Sequence, residues 1–404
     1  MSLPAAEQVQ AVVGERLAAH GLKIIDVPER GRALVATRHF AKGDEVWSEA
    51  AATQVGPLDG PLASGGRDVC HNCKRGVDKL RRCSGCKFHL YCSPECQRAA
   101  WTAGGHKKVC KALCALLAEV PRASAARDTA AMALHVVLVG GPGAVEQFAM
   151  LDPGTVGFPE ASVLAMRAAQ HGRAAPLDLA AWTHLCLVID NNMFNFHTDG
   201  LRGMLTEFKG VFFACSFLNH ACFANCARGV DVKDGEISMS LFAKEDIAAG
   251  DELTTEYFYG HKSAALRREI MSSFGFTCTC ARCTTPDETL DKLLEEMNVL
   301  YKETLTKSDY VQLMKICDRI ERIARGGDDK QPILAKHRHM MAGIYQVRMY
   351  TGLAVGHMDR FMPNYGLFKL YATMGRVLAI VDKSGGSPSK FQMLEEMVQR
   401  DAKA

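Results

Sequence analysis

The chain lacks an excess of charge of either sign: 48 Lys and Arg stand against 45 Asp and Glu in 404 residues, a formal net of +3. Near neutrality excludes a surface that binds nucleic acid as a whole, so any basic patch must be local. Also missing is an uninterrupted apolar run near the ~20 residues of a bilayer span, and no basic start followed by an apolar stretch opens the chain. These absences predict a soluble protein of the nucleus or cytosol with no membrane partner, expected to act as a monomer. In such a reducing compartment the 16 cysteines are not expected to form disulfides. Their close pairing favours metal instead.

The densest cysteine run is Cys70-x2-Cys73-x9-Cys83-x2-Cys86-x5-Cys92-x3-Cys96-x9-His106-x3-Cys110. Eight soft ligands within about forty residues suffice for two tetrahedral zinc sites. Pairs two apart belong on tight knuckles, and Cys92 and Cys96 are spaced to share one helical face. Ser93 followed by Pro94 predicts an N-cap with proline at the first helical position, opening a short helix that ends near Trp101. His71 and His89 fit neither ligand slot and are expected at the surface. From Arg67 to Lys111, eleven Lys or Arg face three acids, a net of +8. Seven thiolates and two zinc ions would leave about +5. That charge either compensates the thiolates or docks an acidic or proline-rich peptide, with weak DNA contact as a further expectation.

Farther along, Cys278-x-Cys280-x2-Cys283 supplies only three thiolates, whereas structural zinc takes four ligands. Cys114, Cys186, Cys215, Cys226 and Cys317 show no metal spacing, and Cys222 lies in the phrase Asn219-His220-Ala221-Cys222. Cys222 is therefore the expected fourth ligand, with Cys226 in reserve, so that one ion would staple the segment after Phe274 onto the loop at Asn219.

The finger string resembles the MYND zinc finger, whose ligand pairs interleave. A RING-type cross-brace also interleaves two sites, but its central Cys-x-His step is missing here. The resemblance implies one zinc on Cys70, Cys73, Cys92 and Cys96, and another on Cys83, Cys86, His106 and Cys110. The phrases SFLNHACFANC, GDELTTEYF and FGFTCTCARC, in that order, resemble a SET domain with its post-SET cysteines. With a MYND finger before them, the chain is similar to the SET-and-MYND (SMYD) family of protein lysine methyltransferases. Arg30-Gly31-Arg32-Ala33-Leu34 resembles the first SET motif, usually Gly-x-Gly-Leu, with Ala33 in place of the second glycine. That replacement is harmless at negative φ and troublesome at positive φ.

The implied fold is α+β. A β-rich SET domain of short strands carries the inserted finger and a helical insert, and is followed by an all-α, TPR-like C-terminal domain. The implied segments are 1–66 and 189–272 for the SET domain, 67–111 for the finger, 112–188 for the helical insert, 273–286 for the post-SET segment and 287–404 for the C-terminal helices. Local patterns agree with it. A helix is expected from Ala5 to His20, stopped by Gly21, then strands at Leu22–Val27, Ala33–Thr37 and Glu45–Glu49, with a turn at Lys42-Gly43-Asp44. A linker is expected from Thr53 to Gly66, further strands at Gly210–Cys215 and Ile237–Ala243, and helices through Leu290–Leu300, Ile316–Ile323, Ile333–Tyr350 and Leu367–Val381. No strict 34-residue repeat is legible.

The resemblance also implies roles. S-adenosylmethionine and three zinc ions would be the cofactors, and a protein or peptide bearing the target lysine, histone or not, the substrate. Tyr257 would be the catalytic tyrosine and would also lie against the cofactor. Arg30, Gly31, Arg32, Asn192, Asn219, His220 and Phe276 would bind the cofactor, with Asn195 as an alternative to Asn192. Phe274 stands where many relatives carry tyrosine and would leave room for higher methylation. Two rival readings remain at this stage: a catalytically weak adaptor working through the finger and the helical array, and a zinc-dependent DNA-binding regulator.

Overall fold

The computed structural model describes residues 4–28, 30–56, 69–77, 79–120, 124–154, 157–172, 177–199, 205–233, 235–258, 261–302, 307–327, 338–354 and 364–368. Most of the expected Thr53–Gly66 linker, the first residues of the expected helix at Ile333 and nearly all of that at Leu367–Val381 lie outside them. The chain divides into two compact units. One comprises Met1–Glu15, Ser48–Phe217 and Val230–Met239, the other Arg16–Trp47, Leu218–Gly229 and Ser240–Ala404.

In the first unit the finger's helix runs Pro94–Thr102, and the Ser93 hydroxyl accepts from the Cys96 amide, as a serine N-cap should. Helix His106–Glu119 follows, then Ala125–His135, Pro159–Ala169 and Leu179–Asn192. Ala130, Ala131, Ala133, Ala161, Ala165 and Ala168 are buried where these helices meet, which explains the alanine-rich stretch: small side chains let the helix axes approach. The continuous helical stretch Ala125–Phe148 is long and apolar enough to cross a bilayer by length and composition alone, and half of its apolar window is buried within the protein. Leu179–Asn192 feeds strand Met193–Asp199, which pairs antiparallel with Leu205–Val211; that strand also pairs with Thr53–Val55.

The strand expected at Gly210–Cys215 ends at Val211 instead. Beyond it the buried Glu49 carboxylate accepts from the amides of Ala214 at 3.2 Å and Cys215 at 2.7 Å. Once those N–H groups bind a side chain they cannot extend a ladder, and a 3-10 turn forms at Cys215–Phe217.

In the second unit Leu22–Val27 and Gly31–Ala36 form an antiparallel hairpin in the register Leu22 to Ala36. The short strand Asn219–His220 runs parallel to Thr254–Thr255. Helix Ala264–Ser273 starts at the Ser263 cap and is followed by the turn-length helix Ala281–Thr284. Helices Glu288–Lys302, Lys307–Ala324 and Arg338–Ala354 then pack in sequence. Leu290, Leu293, Leu294, Met297, Leu313, Ile316, Ile320, Ile344 and Tyr345 are buried, the one-sided apolar stripe expected of an amphipathic array. A buried polar knot locks it: Glu321 accepts from Arg325, Tyr345 and Arg348, and Arg348 also reaches Asp318.

Candidate active site and metal centres

In the finger the two interleaved ligand sets assemble, each with its four ligand atoms within 4.8 Å of one another. Sulfur separations are 3.7 Å for Cys73 to Cys92, 3.4 Å for Cys92 to Cys96 and 3.8 Å for Cys83 to Cys110. A tetrahedral zinc with bonds of ~2.3 Å holds sulfurs about 3.8 Å apart, so the cages match that ion. His106 turns Nε2 toward Cys83 at 3.4 Å and Cys86 at 3.6 Å. Both knuckles use one device. Lys74 and Lys87 follow their cysteine pairs at φ 61° and 60°, and their amides return to the carbonyls of Cys70 at 2.8 Å and Cys83 at 3.0 Å.

His71 and His89 are half-buried rather than freely exposed. His71 stacks on His89 at 4.5 Å and His89 stacks on His106 at 4.2 Å, a ladder of rings ending at a ligand. Burial, with repulsion from Lys74 and His106, lowers His71 to about 3. Burial first, then the neighbouring histidines, holds His89 well below its ordinary value. Both rings are therefore neutral, and they pack in the stack while staying half-buried.

The second unit brings Cys222, Cys278, Cys280 and Cys283 together within 4.8 Å, with Cys222 to Cys283 at 3.5 Å. Cys226 is fully buried but outside this cluster, and burial pushes its thiol up to about 12. Sulfurs so close cannot ionise independently. Hydrogen bonding from Cys222 lowers Cys278 to about 6, and bonds from its three neighbours lower Cys280 further, while Cys222 is driven up. A divalent cation would resolve that conflict by taking all four as thiolates.

The clasp walls a junction of three segments. Tyr257 donates its amide to His220 Nδ1 at 3.1 Å and its hydroxyl to the Leu218 carbonyl at 2.8 Å. His220, buried, stacks on Phe258 at 4.9 Å and sets Nε2 3.3 Å from the Cys222 sulfur. Phe276 lies 6.3 Å and Phe274 5.3 Å from the Tyr257 ring, both edge-on. Asn219 donates its amide to the Arg32 carbonyl at 3.2 Å and to Glu252 at 2.8 Å, which leaves its side-chain oxygen as an acceptor.

Gly31 opens its strand at φ 76°, and the space where a Cβ would stand is empty to 4 Å. Among the described residues only Lys74 and Lys87 are non-glycines at positive φ, so Ala33, buried in the extended strand Gly31–Ala36, tolerates its side chain without strain. Asn192 belongs to the other unit. There it is buried, with its amide donated to the carbonyls of Asp152 at 2.7 Å and Val188 at 2.8 Å.

Two participants escaped the sequence reading. The Leu218 carbonyl is a backbone group and carries no side-chain signal. Glu252 lies in the quoted GDEL phrase, but only the fold shows what it touches.

A MYND finger family profile matches residues 70–110. "Histone-lysine N-methyltransferase Smyd1" of Mus musculus is 26% identical over 328 residues, covering 71% of this chain and 64% of that protein. The Homo sapiens protein of the same description is 25% identical over 364 residues, covering 82% and 71%. "Histone-lysine N-methyltransferase SMYD3" of Homo sapiens is 28% identical over 279 residues, covering 64% of this chain and 61% of its own length. The chain thus spans about two thirds of the length of these relatives. The solved structure "Crystal structure of the SET domain of LSMT bound to Lysine and AdoHcy" superposes with a TM-score of 0.34 at 11% identity, covering 98% of this chain and 91% of that one, too loosely to add weight. With a matched MYND finger and relatives along most of its length, the chain is similar to the SET-and-MYND lysine methyltransferases.

Proposed function

We propose that the chain is an S-adenosylmethionine-dependent protein lysine N-methyltransferase with three structural zinc ions. The observation that carries this reading is the double tether of Tyr257: its amide on His220 and its hydroxyl on Leu218. A phenol fixed at both ends is pre-oriented, and methyl transfer to an amine is an in-line displacement in which positioning supplies most of the catalysis.

S-adenosylmethionine, when bound, supplies an electrophilic methyl on a sulfonium. Arg30, Gly31, Arg32 and Asn219 would hold its amino-acid end, because the empty space beside Gly31 admits close approach and the Asn219 oxygen is an acceptor. Phe276 and His220 offer ring faces and edges for its adenine. Asn192 is assigned to the same cofactor through the family pattern alone. With its O–H donating a hydrogen bond to the Leu218 carbonyl, the Tyr257 oxygen can accept one from an incoming lysine amine and hold it in line.

The zinc ions would sit on the two finger cages and on the clasp of Cys222, Cys278, Cys280 and Cys283, whose sulfur spacing suits them. The substrate class is a protein or peptide with an accessible lysine, histone or other. The basic finger is assigned an acidic or proline-rich partner. Residues 1–66 and 189–272, 67–111, 112–188, 273–286 and 287–404 keep their assignments as SET halves, finger, insert, post-SET segment and C-terminal helices. Three thiolate clusters need a reducing compartment, nucleus or cytosol.

Transfer of labelled methyl from the cofactor to a panel of proteins, with Tyr257→Phe as control, tests the reading. Tyrosine-dependent incorporation is the expected result. Cofactor binding without such incorporation would instead identify an adaptor.

A further inference from the structure

Glu252 is the point where three segments of the second unit converge. Its side chain takes Arg30 on one oxygen, Oε2, at 2.7 Å and the Asn219 amide on the other, Oε1, at 2.8 Å. Its backbone is held as well: its carbonyl accepts from Asn225 at 2.8 Å, and it bridges to Val35 across the hairpin. The next residue, Leu253, donates to the Leu34 carbonyl at 2.8 Å. From there the chain runs through Thr254–Thr255, parallel to Asn219–His220, to Tyr257.

A carboxylate oxygen can only accept, so it dictates which end of the neighbouring amide faces it. With Glu252 and the Arg32 carbonyl both taking the Asn219 nitrogen, the Asn219 oxygen is left as an acceptor. Without the carboxylate the amide could flip and present a donor. On the other side the carboxylate engages a single nitrogen of Arg30, whose side chain is 43% exposed, so the guanidinium keeps further donors for a ligand. An acceptor and a cation held by one anchor match the two charges of a zwitterionic amino acid: ammonium on Asn219, carboxylate on Arg30.

We propose that Glu252 is a positioning residue for the amino-acid end of the cofactor, setting the orientation of Asn219 and the place of Arg30 at once. This rests on the methyltransferase reading. The test is built so that the two can fail separately.

In the full-length protein, cofactor affinity is measured by calorimetry, and KM for the cofactor and kcat by labelled transfer, for wild type, Glu252→Gln, Glu252→Ala and Arg30→Ala. Glu252→Gln weakens the Arg30 contact and gives the site an amide that can itself donate; it is expected to raise the cofactor Kd and KM roughly tenfold with kcat within about twofold. Glu252→Ala is expected to raise them roughly a hundredfold. A merely structural role would instead lower kcat and thermal stability together and leave KM unmoved. Because part of the effect of Glu252 runs through Arg30, the loss in the double variant Glu252→Gln, Arg30→Ala should be smaller than the sum of the two single losses. An unchanged KM in Glu252→Gln, or fully additive losses in the double variant, overturns the proposal. Failure of the wild type to bind cofactor at all would overturn the methyltransferase reading itself.

Discussion

The finger and the clasp use the same chemistry at different ranges. All eight finger ligands fall within residues 70–110, and the longest sulfur pairing measured there, Cys83 with Cys110, spans 27 positions. The clasp joins Cys222 to Cys283 across 61. Ions in the finger would therefore close short local loops and hold a module. An ion in the clasp would fix a long excursion of the chain, one that contains Tyr257 and ends beside its ring. Closing the longer loop removes more freedom from the unfolded chain. Phe274 and Phe276, whose rings lie against Tyr257, immediately precede the clasp trio in the chain.

The comparison breaks if the two kinds of centre prove interchangeable. Cys280→Ser should lower bound zinc from three ions to two and reduce methyl transfer by more than about a hundredfold, because the aromatic wall loses its anchor. Cys86→Ser should also cost one ion yet leave transfer within about threefold. Metal counted by mass spectrometry alongside labelled transfer decides between them. Equal losses of activity would show that the finger, too, builds the reaction site.

Acid should act on the finger's unit. His135 is lowered to about 4, by burial first and then by His106 and Lys74. Its folded value lies below its unfolded one, so the neutral ring favours folding above pH ~6.5, and that stability is lost as pH falls toward 4. The loss should reach at most about 3 kcal/mol. Denaturant melts of wild type and His135→Gln across that window check it; the variant's profile should be flatter.

A smaller effect separates the two candidate clasp cysteines. Cys222→Ser should cost an ion, whereas Cys226→Ser should keep all three and cost about 1–2 kcal/mol from a hydroxyl buried without a partner. Smallest is a backbone effect. Lys87 holds φ 60° in the finger's second knuckle. Lys87→Gly should raise the finger's stability by up to about 1 kcal/mol by relieving left-handed strain. An unchanged melting midpoint would mean that its lost chain entropy cancels the gain.

Much of the site was legible because its signals are local. Ser93-Pro94 marked a helix start that the Ser93 hydroxyl caps as expected, and Gly21, at φ 77°, ends the opening helix. The strand expected at Gly210–Cys215 was misplaced because Glu49, distant in sequence, captures the Ala214 and Cys215 amides. His71 and His89 were expected outside because neither is a ligand. Ring stacking beneath His106 half-buries them.

By itself the sequence determined every feature whose partners lie within a helical turn or a knuckle: cysteine pairs, caps, glycine turns and the apolar stripes of the C-terminal helices. The chain's path in space decided the rest. It chose Cys222 over Cys226, placed an acceptor oxygen on Asn219 by way of Glu252, and made Ala33 harmless by laying it in an extended strand. The physical reason is range. A residue's own conformational preference and its near neighbours are written beside it, but a metal cage or a shared carboxylate exists only once distant segments have been brought within hydrogen-bonding reach.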